Sequence, residues 1–170
     1  GYLDGVRAFC EGDYEGARRR FQAVLIGDTS NPPLLAAIGH TFLHEGEKEK
    51  ALEYYARAEK AGPPLPEILY NRAILFTKDS LWSAALPLFE ELQETPPEIQ
   101  PGSFYFGLLF QSQEELLCDV ALYLGHCHRH LAQTAEARRW FETALEKRRD
   151  NVSAHQRLAE LAILEKNYLK

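Results

Sequence analysis

The chain contains no methionine in 170 residues, only three cysteines and only two tryptophans. It has no uncharged apolar run approaching the roughly 18 residues of a membrane-crossing helix, so nothing in it spans a bilayer. A secretory signal is also lacking. Cys10, Cys118 and Cys127 are odd in number and share no CxxC spacing, which suits small buried or groove residues in a reducing compartment. Positive charge is in deficit: 19 Lys and Arg stand against 25 Asp and Glu, for a net charge of −6. That balance argues against a surface for nucleic-acid phosphates. The basic clusters Arg18, Arg19, Arg20 and Lys147, Arg148, Arg149 read as solvated helix faces and helix ends near a negative dipole. No glycine-rich phosphate loop, nucleophile elbow or paired-carboxylate constellation appears, so catalysis and a cofactor find no support. Apolar content of 45% and charged content of 26% are those of an ordered globular protein.

What the chain does have is a repeated spacing. A small residue is followed twelve positions later by alanine and sixteen later by an aromatic, four times over. The sets are Gly5, Ala17, Phe21; Gly39, Ala51, Tyr55; Ala73, Ala85, Phe89; and Gly125, Ala137, Phe141. The first three anchors are 34 residues apart, the next step is 52, or 34 plus 18, and Ala159 follows after another 34. Such a period marks stacked helix–turn–helix units. The small anchor lets two helices approach, and the aromatic, one turn beyond the alanine on the same face, wedges between units. Gly12 and Gly46 occupy the turn, with Ser80 and Ala132 equivalent, and Tyr14, Trp82 and Tyr168 recur two residues beyond it. Pro63 and Pro97 close the second and third units.

These residues resemble the tetratricopeptide-repeat family over nearly the whole chain. The resemblance implies an all-α, right-handed superhelix of four repeats and a partial fifth. It places repeats at about 1–31, 32–65, 66–97, 118–151 and 152–170, an insertion at about 98–117, and one solenoid domain over 1–170. Departures are local: His128 stands where Phe42 and Phe76 do, with Ala8 and Ala162 there in the outer units, and Arg149 replaces a closing proline. Both ends look cut relative to the repeat, and the absence of methionine fits a fragment of a longer protein.

Helices are expected at about 2–11, 14–27, 32–45, 48–61, 66–78, 81–94, 113–131, 135–148 and 152–168. Asn31 before Pro32 is a cap followed by a first-turn proline, and Pro66 starts its helix in the same way. Ser80 and Thr134 are candidate caps, and Asp13, Asp79 and Asp150 read as caps at unit turns. Pro87 lies inside a helix and is expected to kink it. Ser112 with Glu115 forms a capping box that lengthens the fourth unit's first helix.

The 18 extra residues leave Phe104, Tyr105, Phe106, Leu108, Leu109 and Phe110 in a connecting segment. Each such side chain gains roughly 1.5–3 kcal/mol on burial. The segment is therefore either an internal plug on the scaffold or a docking surface for a partner or a second copy.

The resemblance further implies that the first helix of each unit lines a concave groove. Mapped onto this chain, the groove carries Tyr2, Val6 and Phe9; His40, Leu43 and His44; Tyr70, Ile74 and Thr77; and Leu122, His126, Arg129 and His130. It is mixed, aromatic and largely neutral. The lysine and asparagine with which some family members grip chaperone carboxylates are replaced by Tyr2, Ala36, Tyr70, Leu122 and by Val6, His40, Ile74, His126, so an amphipathic helix or extended apolar peptide is the better ligand. His40 with His44, and His126 with His130, are spaced for a shared metal, but no carboxylate completes a known signature, and polar groove lining is the preferred reading. The function expected is a non-catalytic adaptor that holds a peptide of a partner protein. Arg, Ala and Leu usage suggests a bacterial source. The setting expected is cytoplasmic, tethered to an inner membrane through other sequence, in a machine for secretion, pilus assembly or polysaccharide export. The alternatives are a self-assembling homo-oligomer that uses 104–110 or the repeat edges, and a regulatory domain of a larger enzyme.

Overall fold

The structure, a computed structural model, describes residues 1–168. Leu169 and Lys170, the end of the expected fifth unit, lie outside the described residues. Among the described residues the protein is all-α, 76% helical and without strands, in ten helices. The chain divides into two compact units, residues 1–68 and 69–170.

In the first unit, α1 (Tyr2–Cys10) packs on α2 (Tyr14–Leu25), α2 on α3 (Pro32–His44), and α3 on α4 (Lys48–Ala61). The chain then enters α5 (Pro66–Lys78), most of which belongs to the second unit. There α6 (Trp82–Glu94) packs on α8 (Gln113–His130), α8 on α9 (Thr134–Lys147), and α9 on α10 (Val152–Tyr168). The short α7 (Phe106–Leu109) stands between α6 and α8 in the chain. The expected helices are all present, within two residues at each end, and α7 is an addition inside the segment expected to be a connection.

The repeated triplets build the core. Ala17, Ala51, Ala85 and Ala137 are fully buried, as are Phe21, Tyr55, Phe89 and Phe141. The anchors are small because the aromatic ring lies on them. A Cβ on Gly5 would stand 2.6 Å from the Phe21 ring and one on Gly39 2.5 Å from the Tyr55 ring, and a Cβ on Gly125 would overlap Phe141. Among the four triplets it is Ala73 that retains a methyl, and it too is fully buried.

The four turns share one geometry. Gly12 and Gly46 have φ of 81°, and Ser80 and Ala132 follow them into the left-handed region at 58° and 61°. The next residue's N–H reaches back five residues each time: Asp13 to Ala8, Glu47 to Phe42, Leu81 to Phe76 and Gln133 to His128, at 2.8–2.9 Å. This is the Schellman closure, in which the two residues so joined also touch through their side chains. The geometry accounts for His128. Its Nδ1 meets Gln133 Oε1 at 2.6 Å, so a polar pair joins the two positions that Phe76 and Leu81 hold one unit earlier.

The same closure corrects two expected caps. Ser80 is the left-handed turn residue, and Leu81 takes the N-cap of α6 without a side-chain bond. Thr134 is the first residue of α9, behind Gln133 at the cap. Asp13 accepts from Gly16 N at 2.8 Å and Asn31 from Leu34 N at 3.1 Å, as expected of caps. Asp79 and Asp150 stand before the cap positions: Leu81 is the N-cap of α6, and Asn151 caps α10 by accepting from Ala154 N at 2.9 Å. Ser112 accepts from Glu115 N at 3.2 Å, while Glu115 accepts from Gln111 N rather than from the cap itself. The helix α6 runs unbroken through Pro87. Pro87 and Ser83 are both exposed, so water can satisfy the carbonyl that the proline leaves without a donor.

An alanine in the left-handed region costs about 1–2 kcal/mol. Glycine loses about 0.4–1 kcal/mol of that advantage through its freer unfolded chain. Ala132→Gly is therefore expected to stabilise the protein by about 0.5 kcal/mol, and Gly12→Ala to destabilise it by about 1 kcal/mol. Urea unfolding of the two variants checks the opposite signs, and equal signs would contradict the shared turn geometry.

Candidate functional site

The predicted groove residues lie on α1, α3, α5 and α8, and the structure sorts them into three environments. In the first unit Tyr2 is 36% exposed, packs 5.7 Å from Phe21, and has Val6 half-buried one turn on. Phe9 and His40 are core residues, at 7% and 1% exposure. His40 Nδ1 lies 2.8 Å from the Tyr55 hydroxyl, which satisfies both groups inside the core. Neither side chain offers a free surface to a ligand. Leu43 is half-buried, and His44 is exposed but stacked on Tyr14 at 5.2 Å and edge-on to Phe9 at 5.1 Å.

In the second unit the histidines repeat this scheme. His126 stands edge-on to Phe141 at 5.6 Å, fifteen residues on, as Tyr55 is from His40. His130 stacks flat on Trp82 at 3.9 Å, as His44 does on Tyr14. Each i, i+4 pair thus sends its two rings to different aromatic partners. The recurrence of Tyr14 and Trp82 two residues past their turns carried this information in the sequence, but it becomes a contact only once the units stack. Arg129 bonds to Glu160 at 3.2 Å, and Arg157 holds the same carboxylate at 3.0 Å. Ile74 and Thr77 are half-buried, with Thr77 Oγ1 donating to Ile74 O at 2.7 Å. Leu122 is half-buried against Cys118 and Ala121.

Tyr70 is 7% exposed because the inserted segment covers it. Phe106 and Phe110 meet its ring edge-on, both at 5.7 Å between centroids. Tyr70 Oη donates to Asp119 Oδ2 at 2.7 Å, joining α5 to α8 beneath them. Beside it, Tyr105 Oη donates to Asn71 Oδ1 at 3.0 Å. Tyr105, Phe106 and Phe110 are buried, Phe104 is half-buried, and Leu108 and Leu109 remain 42% and 44% exposed. Of the two sequence readings, the buried aromatics match an internal plug, and the exposed leucines alone offer apolar surface.

The insertion is a closed loop. Gln113 Nε2 donates to Pro96 O at 3.3 Å and to Pro97 O at 3.0 Å, tying its exit to its entry. Gly102 N donates to Gly107 O at 3.1 Å across the loop, and a Cβ on Gly107 would overlap Gln100 O. Tyr105 has φ 67° and ψ −83°, a backbone state that bulky side chains rarely adopt and that costs on the order of 1–3 kcal/mol. Strain at the residue before α7 is offset by burial of Tyr105, Phe106 and Phe110.

A broad hollow of about 900 Å³ lies between α9 and α10, lined by Ala135, Arg138, Leu161 and Leu164. Ile163 and Tyr168, also on α10, are 60% and 88% exposed. Among the described residues, no helix is long and apolar enough to cross a membrane.

The tetratricopeptide-repeat family matches residues 34–67. The chain is 32% identical over 78 residues to the Photosystem I assembly protein Ycf3 of Rippkaea orientalis, and 35% over 77 residues to Ycf3 of Cuscuta gronovii. These matches cover 44% of this chain and 45–46% of the relatives, so the chain spans about half the length of the curated relatives it matches. Among solved structures, PilF of Pseudomonas aeruginosa is similar with a TM-score of 0.73 at 21% identity, over 99% of this chain and 68% of that one. YrrB, described as a TPR protein with an unusual peptide-binding site, is similar with a TM-score of 0.73 at 14% identity, over 98% and 76%. At these identities the structural likeness establishes the fold.

Burial holds His40 well below the ordinary imidazole range, with His44 adding repulsion. Burial, then Arg157 and Arg129, bring His126 down to about 4. Both rings take up protons more readily in the unfolded chain, near the ordinary histidine value of about 6.5. Their contribution is therefore complete above that pH and is lost as pH falls towards the folded values. Burial raises Glu67 and Asp119, which act with the opposite sign, so the comparison with a histidine variant is what isolates the imidazole contribution. The urea midpoint is expected to fall between pH 7.5 and 5, and to fall less in His40→Gln. A flat profile for the unsubstituted protein would show that the rings are solvated.

Proposed function

We propose, from the premise that this chain is a tetratricopeptide-repeat protein and thus a protein-interaction scaffold, that it holds a helical or extended apolar segment of a partner protein against its first helices. The observation that carries the reading is the state of α5 and α8. Their inner side chains already hold an aromatic helical turn, packed edge-on and hydrogen-bonded, as a bound peptide would be. The surface is therefore of the right chemistry for such a guest. Within the first unit Tyr2, Val6 and Leu43 are the side chains assigned to contact, with Phe9 and His40 as core support; within the second unit they are Ile74, Thr77, Leu122 and His126, with Tyr70 as support.

The relatives named for Photosystem I assembly support a role in building a larger complex. We place this chain in a bacterial, membrane-associated assembly of that general kind, on the cytoplasmic side. The exposed residues of α10 and the adjoining hollow favour a second reading, self-association through that face.

Selection of displayed helical peptides against the intact chain tests the first reading. Enriched peptides are expected to bind at least tenfold more weakly to Ile74→Arg and to His126→Arg than to the unsubstituted protein. Enrichment without that sensitivity, or no enrichment, would overturn it. Light scattering over a concentration series tests the second: association that Leu164→Glu abolishes would support it, and a monomer throughout would remove it.

A further inference from the structure

The inserted loop behaves as a ligand that the chain carries for itself. Its contacts are those of a guest: two phenylalanines four residues apart, Phe106 at the start of the turn and Phe110 at its C-cap, both meet the Tyr70 ring edge-on. The residue before that turn, Tyr105, places a hydroxyl on Asn71. Its remaining features are those of a part that can leave. The turn α7 is four residues long and has too few internal hydrogen bonds to persist by itself. It begins at a strained residue, Tyr105. The outward side chains Leu108 and Leu109 are 42% and 44% exposed and leave the tip accessible. The two ends of the loop are tied together by Gln113 on Pro96 and Pro97, so the tip can lift while the scaffold entry and exit stay in place. An open cleft of about 140 Å³ already lies beside Phe110 and Leu122, with Asp119 and Asn151 on its wall.

We propose that the surface of α5 and α8 around Tyr70 and Asn71 is a docking site for a partner helix carrying two aromatic side chains four residues apart, and that residues 104–110 keep it closed by imitating that helix. This rests on the scaffold reading above and names both its ligand and its control. Partner and loop compete for the same surface. A tethered loop acts at an effective concentration on the order of millimolar, so free peptide competes poorly until the loop is loosened.

The probe is a fluorescently labelled synthetic peptide with the sequence of residues 103–112, titrated into the full chain and followed by anisotropy. Two variants loosen the loop. Tyr105→Phe removes only the hydroxyl on Asn71, and Phe106→Ser with Phe110→Ser removes the grip on Tyr70. Binding is expected to tighten severalfold in the first and at least tenfold in the second. A peptide with serine at both phenylalanine positions should lose the gain. Hydrogen exchange gives an independent reading in the unsubstituted protein: with excess peptide, the amides of Leu108, Leu109 and Phe110, which bond within the loop, should lose protection. Affinity unchanged in a double variant that keeps the helical signal and cooperative unfolding would overturn the proposal. Should that variant fail to fold, Tyr105→Phe decides, and affinity equal to the unsubstituted protein overturns it. Displayed peptides that depend on Ile74 and His126 but are indifferent to both loop variants would leave the scaffold standing and remove the built-in competitor.

Discussion

An aromatic ring pressed against a residue with almost no side chain is the contact on which the rest of this structure depends. Phe21, Tyr55 and Phe141 each lie where the Cβ of Gly5, Gly39 or Gly125 would stand, and each ring is fully buried. Interiors are close-packed, so a ring occupying that space allows only one helix register. A slip by one residue along either helix would drive the ring into a side chain. The spacing of sixteen residues is thus a packing constraint, and it recurs because every unit solves the same problem.

Polar side chains are then placed by what the rings leave over. His40 and His126 follow their anchors directly and therefore sit over the ring of their own unit. His44 and His130, one turn further, meet an aromatic from the preceding turn instead. An arrangement that suggests paired metal ligands in one dimension becomes, in three, four imidazoles that each pack on aromatic rings of their own. Where the ring carries a hydroxyl, as in Tyr55, its histidine gains a hydrogen bond; Phe141 has no hydroxyl to offer His126. The cost of holding His40 inside is borne by its neutrality, since a charged imidazole there would be desolvated.

The helices and the core were legible in the residues because both follow from local periodicity. Asn31 before Pro32, and Ala and aromatic four apart, state their roles without knowledge of the fold. The turns were half legible. Gly12 and Gly46 announce a left-handed residue, whereas Ser80 looks like a cap and takes the glycine position only because the Schellman bonds enforce it. The candidate site was least legible. Mapping by register placed Phe9, His40 and Tyr70 on the inner face, and register alone does not report what lies above them. Tyr70 is covered by residues some 36 and 40 positions away, Phe106 and Phe110, and no periodic signal links an insertion to the repeat it covers. The strained Tyr105 is invisible for the same reason: nothing about tyrosine foretells φ of 67°.

That covering loop changes what affinity means for a scaffold of this kind. A partner's apparent dissociation constant is its intrinsic value divided by the fraction of molecules with the surface open. A loop closed in 99 of 100 molecules would weaken every partner about a hundredfold, which is close to 2.7 kcal/mol. The penalty is uniform in energy but not in consequence. A segment that makes only the generic apolar contacts of a repeat surface falls below useful affinity. One that reproduces the paired aromatics and the hydrogen bond to Asn71 recovers what the loop gave up. Strain at Tyr105 lowers the closed state's advantage, and burial of three aromatics raises it. The balance between those two terms, both inside residues 104–110, sets how selective the surface is. A scaffold fold common to many proteins thereby acquires a threshold through eighteen added residues.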